Sequence, residues 1–425
     1  VTAMNVYNIH LFTIISLLAC LLAMYWTQRN QVASDEEKLG VGKGIVKLLG
    51  LWIGIPCFLA SAQASYQYGI IGMLGYSVAG ILGLLFIFMV NRKIIYQRQP
   101  LRYLPLLWVL EDILISVLAG KMILNLIYSI NDHLSIAFVT SFLLLMLAVQ
   151  FGKPNQASFV IVLLAMSATM LLPTLVYLKV SVPTVYSGVK FLATDMLRLD
   201  ISSSWSLAGA LLVRFMTGSL IHPRLRITFH QIKVSKRGLC FCLAPLIWAC
   251  LPISMGTLSF VSKAEAIWPS FPDQVSVMVV GYFAGQIGIV LLIVTLIIIL
   301  ITAVPQATLG EQKSAVWMRG AIILVAGAIS LLFPKLTILD TMLNFALIWA
   351  AVAPVVLLIS KLGRGGAAIV IIAGLTTGCF YSLTSGVTIG VLVDVLVSVS
   401  VAVLLTIPTN WKKRRNSLGP TFGSD

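Results

Sequence analysis

The sequence predicts an all-α fold, a polytopic bundle of transmembrane helices. Three observations carry that prediction. Of the 425 residues, 59% are hydrophobic and only 10% are charged, where a soluble domain carries about 25% charged residues. The mean hydropathy is +1.01 over the whole chain, which leaves little surface that favours water. Single apolar runs reach the roughly 20 residues that a helix needs to cross a bilayer. Together they exclude a sizeable soluble domain, an extramembrane catalytic module and a disulfide scaffold.

Thirteen spans are legible, at 9–28, 48–66, 71–91, 107–130, 134–152, 157–178, 203–221, 238–260, 275–304, 317–334, 338–360, 366–383 and 387–408. The links between the second and third, and between the last two, are very short. The net charge of +15 would point to nucleic acid in a soluble chain. Here its distribution matters more. With the N-terminus outside, 22 of the 29 Lys and Arg fall in one set of alternate loops and five in the other. The rich set comprises 29–47, 92–106, Lys153, 222–237, 313–319, 361–364 and the tail Lys412-Lys413-Arg414-Arg415. Basic loops stay on the cytoplasmic side. The expectation is therefore an outer N-terminus, a cytoplasmic C-terminus and a plasma-membrane location, as in a bacterial inner membrane. No basic stretch precedes the first span, so it is expected to remain rather than be cleaved as a signal peptide. The tail reads as an anchor at lipid headgroups, and nucleic acid is not an expected partner.

Motifs for chemistry are sparse. Gly40-Val41-Gly42-Lys43-Gly44 lacks the spacing of a phosphate-binding loop. The six cysteines lie almost entirely within apolar runs and read as small buried hydrophobes. Cys240 and Cys242 have no second ligand pair, and the four histidines are scattered over loops and ends. The sequence therefore implies no metal, no cofactor and no catalytic residues, because an intramembrane enzyme needs a nucleophile–base or metal constellation.

Two spans look interrupted. The second carries Gly50, Gly54 and Pro56 and then turns polar through Ser61, Gln63 and Ser65. The seventh opens with Ser202-Ser203-Ser204-Trp205 and carries Gly209, Arg214 and Gly218. Broken helices are tolerated where they line a cavity. A matched pair five spans apart is the pattern of a five-plus-five inverted repeat with its substrate site between them; frequent Gly and Pro in membrane helices is the plainer explanation.

The segment GLWIGIPCFLASAQASYQYGIIGMLGYSVAGILGLLFIFMVNR (50–92) resembles the first broken core helix and its successor in the sodium/solute symporter family. The segment IHPRLRITFHQIKVSKRG (221–238) is similar to that family's cytoplasmic link between core helices. The resemblance implies a LeuT-like five-plus-five inverted repeat in one integral membrane domain over 1–425. An extra N-terminal span (9–28) would precede a ten-helix core (48–360), followed by extra C-terminal spans (366–408) and the basic cytoplasmic tail (409–425). It also implies a sodium site with hydroxyls on the helix at 275–304. The register there gives Ile293-Val294-Thr295-Leu296-Ile297-Ile298, with Thr295 the lone hydroxyl. Sodium wants several oxygens, so the site reads as degraded, leaving proton coupling, uncoupled transport or loss of transport open.

An ionisable group in a membrane helix costs about 2.5–3.5 kcal/mol at its centre and needs a partner, water or the interface. Glu111 and Asp112 are expected to reach the interface near the inner end of their span, and Asp340 to sit at a helix end. Lys121 lies deeper. Arg214 is a candidate clamp for a carboxylate or phosphate, or else the partner of a helix carboxylate. Asp394 stands among Val391, Leu392, Val393, Val395 and Leu396, as a proton carrier, a partner of Lys121 or Arg214, or a subunit contact.

The sequence thus reads as a secondary transporter, not an enzyme, moving a small solute by alternating access. Substrate-binding candidates are Pro56, Ser61, Gln63, Ser65, Trp205 and Arg214, the last favouring an anionic group. Ion-coupling candidates are Thr295 and Asp394. Membrane lipid and a small-molecule solute are the expected partners. A second reading is a transport-incompetent membrane subunit, sensor or scaffold that holds a partner protein.

Overall fold

The computed structural model describes residues 38–93, 104–128, 158–307, 324–330, 332–333 and 335–417. The sequence-predicted spans at 9–28 and 134–152 lie outside the described residues, as does part of that at 317–334. Among the described residues, seven helices are long and apolar enough to cross a membrane.

The helices are α1 (Val41–Trp52), α2 (Ala60–Lys93), α3 (Leu104–Tyr128), α4 (Ser158–Tyr177), α5 (Val182–Leu192) and α6 (Ser202–Ile221). They continue with α7 (Pro223–Gln231), α8 (Arg237–Ala264), α9 (Val275–Phe283), α10 (Gly285–Ala307), α11 (Ile338–Ser385) and α12 (Val387–Ser417). The tail expected from residue 409 thus continues α12 as helix as far as Ser417.

Between α1 and α2 the chain leaves the helix, as Gly54 and Pro56 predict. Gly54 is extended (φ −133°, ψ 170°) and is followed by a single 3-10 turn at Ile55–Cys57. The cause is local. Pro56 has no N–H, so in a continuous helix the carbonyl four residues back would lose its donor. That carbonyl belongs to Trp52, and the indole N–H of Trp248 on α8 donates to it instead, at 3.1 Å. The same repair occurs in α4, where Pro173 frees the carbonyl of Thr169 and Ser254 of α8 supplies a hydroxyl at 2.7 Å.

At Gly69 the chain doubles back. A Cβ built on Gly72 would stand 2.2 Å from the Ala64 carbonyl oxygen, whereas residues eight apart in a straight helix lie about 12 Å apart. Gly69 itself adopts φ 65°, ψ −151°, a region open essentially to glycine. The half-helix 60–68 and the long helix 70–93 therefore lie side by side.

The seventh span corrects the expectation. No non-helical residue interrupts α6 between Ser202 and Ile221. Its glycines serve close approach instead of unwinding. A Cβ on Gly209 would meet Leu392 of α12 at 3.1 Å, and one on Gly218 would meet the Arg214 Nη1 at 2.1 Å. With no proline in the segment, every helical N–H stays available. The second interruption lies two spans later, between α9 and α10, where Gly285 takes φ 64°. Another breaks α11 at Gly363 (φ 65°), dividing the sequence-predicted spans at 338–360 and 366–383. Gly386 (φ 99°) then turns the chain into α12.

Candidate functional site

The broken segment opens onto a cavity of about 110 Å³. Gly50 to Gly54, Pro56 and Cys57 form one wall, and Asp112, Ile115 and Trp108 of α3 form another. Arg214 and Phe215 of α6, with His222 just beyond it, close a third side. Ile161 of α4 and Ile299 of α10 supply an aliphatic floor. Trp108 and Asp112 lie in the first part of α3, and Arg214, Phe215 and His222 at the end of α6, next to the basic segment 222–237.

Aromatic rings shape it. Tyr76 stacks on Trp248 at 6.2 Å between centroids, and Phe215 packs edge-on to both. Trp52 joins them at 5.8 Å from Phe215. This close packing requires Gly80, since a Cβ there would stand 2.0 Å from the Trp248 ring.

Behind Trp108 lies a buried ion pair. The Arg214 Nε donates to Glu111 Oε1 at 3.0 Å and Nη2 donates to the same oxygen. The other carboxylate oxygen, Oε2, accepts from the Trp349 indole of α11 at 2.7 Å. The guanidinium carbon lies 5.1 Å from the centre of the Trp108 ring, within cation–π range. Glu111 is wholly buried and Arg214 is 7% exposed. The expectation that Glu111 reaches the interface is therefore overturned. Its charge is met inside the bundle by a partner on another helix.

Asp112, next along α3, faces the cavity and makes no ion pair among the described residues. His222 stacks against Trp108 at 4.8 Å, and its Nδ1 accepts from the Arg224 backbone N–H at 3.3 Å. Burial first, then the positive charges of Arg224 and Arg214, push the His222 imidazole down to about 3. It stays neutral at physiological pH and works as an acceptor.

The sequence-predicted candidates fall in several places. Pro56 and Arg214 line the cavity. Ser61 donates to the Cys57 carbonyl of its own helix at 2.6 Å. Gln63 and Ser65 lie on a seam that clamps the half-helix 60–68. Gln63 donates to the Thr337 hydroxyl at 2.8 Å and accepts from the Leu339 backbone N–H at 3.2 Å, while Ser259 donates to Ser65 at 2.6 Å. Ser204 adds a bond to the Tyr68 carbonyl at 3.1 Å, and the Lys263 ammonium sits 3.8 Å from the Tyr66 ring centre. Trp205 is 60% exposed and bonds the Leu199 carbonyl, near the start of α6 and away from the cavity. Thr295 is buried and spends its hydroxyl on the Leu291 carbonyl of its own helix at 2.7 Å. Asp394 lies in the seam between α11 and α12. Asp340 hydrogen-bonds Thr337 at the start of α11, and the Lys121 side chain is outside those described.

Sequence reasoning missed Trp52, Tyr76, Trp108, Asp112 and His222 as cavity residues. The adjacent pair Glu111-Asp112, three residues past a tryptophan in an apolar run, is the signal that marked the place.

No family model matches the chain, and no curated protein matches it either. Solved structures do. A substrate-bound, outward-open Na+-coupled sialic acid symporter aligns with a TM-score of 0.59 at 13% identity, covering 95% of this chain and 97% of that one. A nucleobase-cation-symport-1 family transporter, in a closed conformation with bromovinylhydantoin bound, aligns with a TM-score of 0.52 at 10% identity, covering 91% and 95%. Both are LeuT-fold transporters, and this chain has their fold. It is a multi-pass membrane protein of transporter-like architecture.

Proposed function

We propose that this chain is a secondary transporter that carries a small solute through the cavity at the Gly54–Pro56 break, without a sodium cage. The observation that carries the reading is the coincidence of the cavity with the backbone interruption, since irregular backbone at membrane depth belongs where it lines a cavity. On the far side of the break the half-helix 60–68 is fastened by Gln63, Ser65 and Tyr68. These bonds hold the chain shut on that side of the break, as alternating access requires in one of a carrier's two states.

The chemistry of the walls bears on coupling and on solute. Ile161 and Ile299 are the α4 and α10 residues that line the cavity, and Thr295 is committed to its own helix. Sodium, a hard cation, needs several oxygen ligands, which branched aliphatic side chains do not offer. Arg214 is neutralised by Glu111, so its charge no longer favours an anion as the sequence suggested. The carboxyl group left facing the cavity is Asp112, which suits a neutral solute with hydrogen-bond donors or a small cation.

Thermal unfolding of the purified chain in detergent, run against a panel of small neutral, cationic and anionic solutes, tests this reading. A solute at about 100 times its Kd stabilises a protein by about 2.7 kcal/mol. A neutral or cationic solute is expected to raise the midpoint equally in sodium and in potassium buffer, and Asp112→Asn to weaken that shift at least about tenfold in concentration (about 1.4 kcal/mol). A shift that appears only with sodium, or only with anions, overturns it.

A further inference from the structure

Within the α11–α12 hairpin, Gly374 and Gly378 stand one turn apart, a small-xxx-small spacing that lets membrane helices approach closely. The groove they leave is filled by a carboxyl group. A Cβ on Gly378 would meet the Asp394 Cβ at 2.7 Å and Oδ2 at 2.9 Å, and one on Gly374 would meet Asp394 Oδ1 at 2.4 Å and Ser398 Oγ at 2.0 Å. Asp394 is 0% exposed. Its Oδ1 accepts from the Ser398 hydroxyl at 3.0 Å, and its Oδ2 has no hydrogen-bond partner among the described residues.

Among the described residues, no cation answers this group. From Val387 to Ile407, α12 carries no other ionisable residue. On the facing stretch of α11, Gly365 to Ser385, the ionisable groups are Cys379 and Tyr381, both exposed on the outer face. The first half of α11 brings Ala351 to Gly374, with Asp340 bonded to Thr337 at its start and Lys361 at its far end. On α6, whose Gly209 receives Leu392 of α12, the charged residue is Arg214, and it is held by Glu111. A carboxylate buried unpaired at bilayer depth is costly, and taking up a proton removes the charge.

We propose that the α11–α12 seam is a proton-binding site, with the Asp394 carboxyl group as acceptor and Gly374, Gly378 and Ser398 as its walls. It stands apart from the cavity, and its case does not rest on the transport reading. Leu392, two residues from Asp394, packs on the helix that carries Arg214 to the cavity, so a change of charge in the seam acts on that helix's packing.

Dicyclohexylcarbodiimide tests it on the intact chain in lipid. The acid's proton passes to one carbodiimide nitrogen while its oxygen bonds the central carbon, giving an O-acylisourea. An acyl shift to nitrogen then leaves a stable N-acylurea, with no oxidant or reductant. The reaction needs the protonated acid. Peptide mapping by mass spectrometry is expected to find the adduct on Asp394, with a yield that falls as pH is raised and with loss of that adduct in Asp394→Asn. The wild-type map alone decides the matter should the variant fold poorly. An unmodified Asp394 in folded protein, or modification indifferent to pH, overturns the proposal.

Discussion

Glu111→Gln is expected to destabilise the protein by about 3–5 kcal/mol, the cost of leaving a buried charge without its partner. Glutamine keeps an oxygen for the Trp349 indole, so the loss isolates the charge on Arg214. Arginine cannot shed its proton, and at 7% exposure it has little access to solvent. The reverse change is expected to cost less. In Arg214→Met, Glu111 can take up a proton and keep its bond to Trp349. Combining the two changes removes both charges, and replacing a whole buried pair by apolar or neutral groups is often close to neutral. The double variant is therefore expected to be more stable than Glu111→Gln alone. Thermal unfolding midpoints of the four proteins in detergent give the coupling energy directly. Strictly additive losses would mean that the two side chains do not act as a pair.

Gly69→Ala is the second large effect. The backbone at this turn lies where side chains are not tolerated, at a cost of roughly 1–3 kcal/mol. The methyl group would also stand 2.5 Å from the Met196 carbonyl oxygen and 2.7 Å from its Cα. Neither is the far end of a flexible side chain, so the backbone at 194–197 must move. Gly42→Ala is the matched control. It lies in the first turn of α1 with nothing within 4 Å of its added Cβ, and alanine in place of glycine at a compatible backbone position stabilises by about 0.4–1 kcal/mol. The two variants are expected to shift the unfolding midpoint in opposite directions; equal shifts would contradict the doubled-back geometry at Gly69.

The first break was legible because proline leaves a chemical trace. Pro56 lacks the N–H that Trp52 needs, and Gly54 ahead of it permits the extended turn. The continuity of α6 was not legible, because glycine serves two opposite purposes. In Gly209 and Gly218 it admits Leu392 and the Arg214 side chain, whereas at Gly285 it adopts a positive φ and interrupts the helix. Nothing in the apolar run around Gly285 distinguishes these uses. Arg214 was recognisable as a charge that needs an answer, yet its partner lies 103 residues earlier on another helix. Pairing across helices has no period to read along the chain. For the same reason Ser61, Gln63 and Ser65 announced a polar face of the half-helix without revealing that Gln63 and Ser65 fasten it to α11 and α8.

The most direct measurement is uptake of labelled solutes into liposomes reconstituted with the purified chain, against empty liposomes. Saturable uptake of a small neutral or cationic solute is expected, unchanged when sodium is replaced by potassium and lost in Asp112→Asn. Uptake that requires sodium, or folded protein that moves none of the solutes offered, would contradict it; the second outcome returns the fold to the role of a membrane subunit.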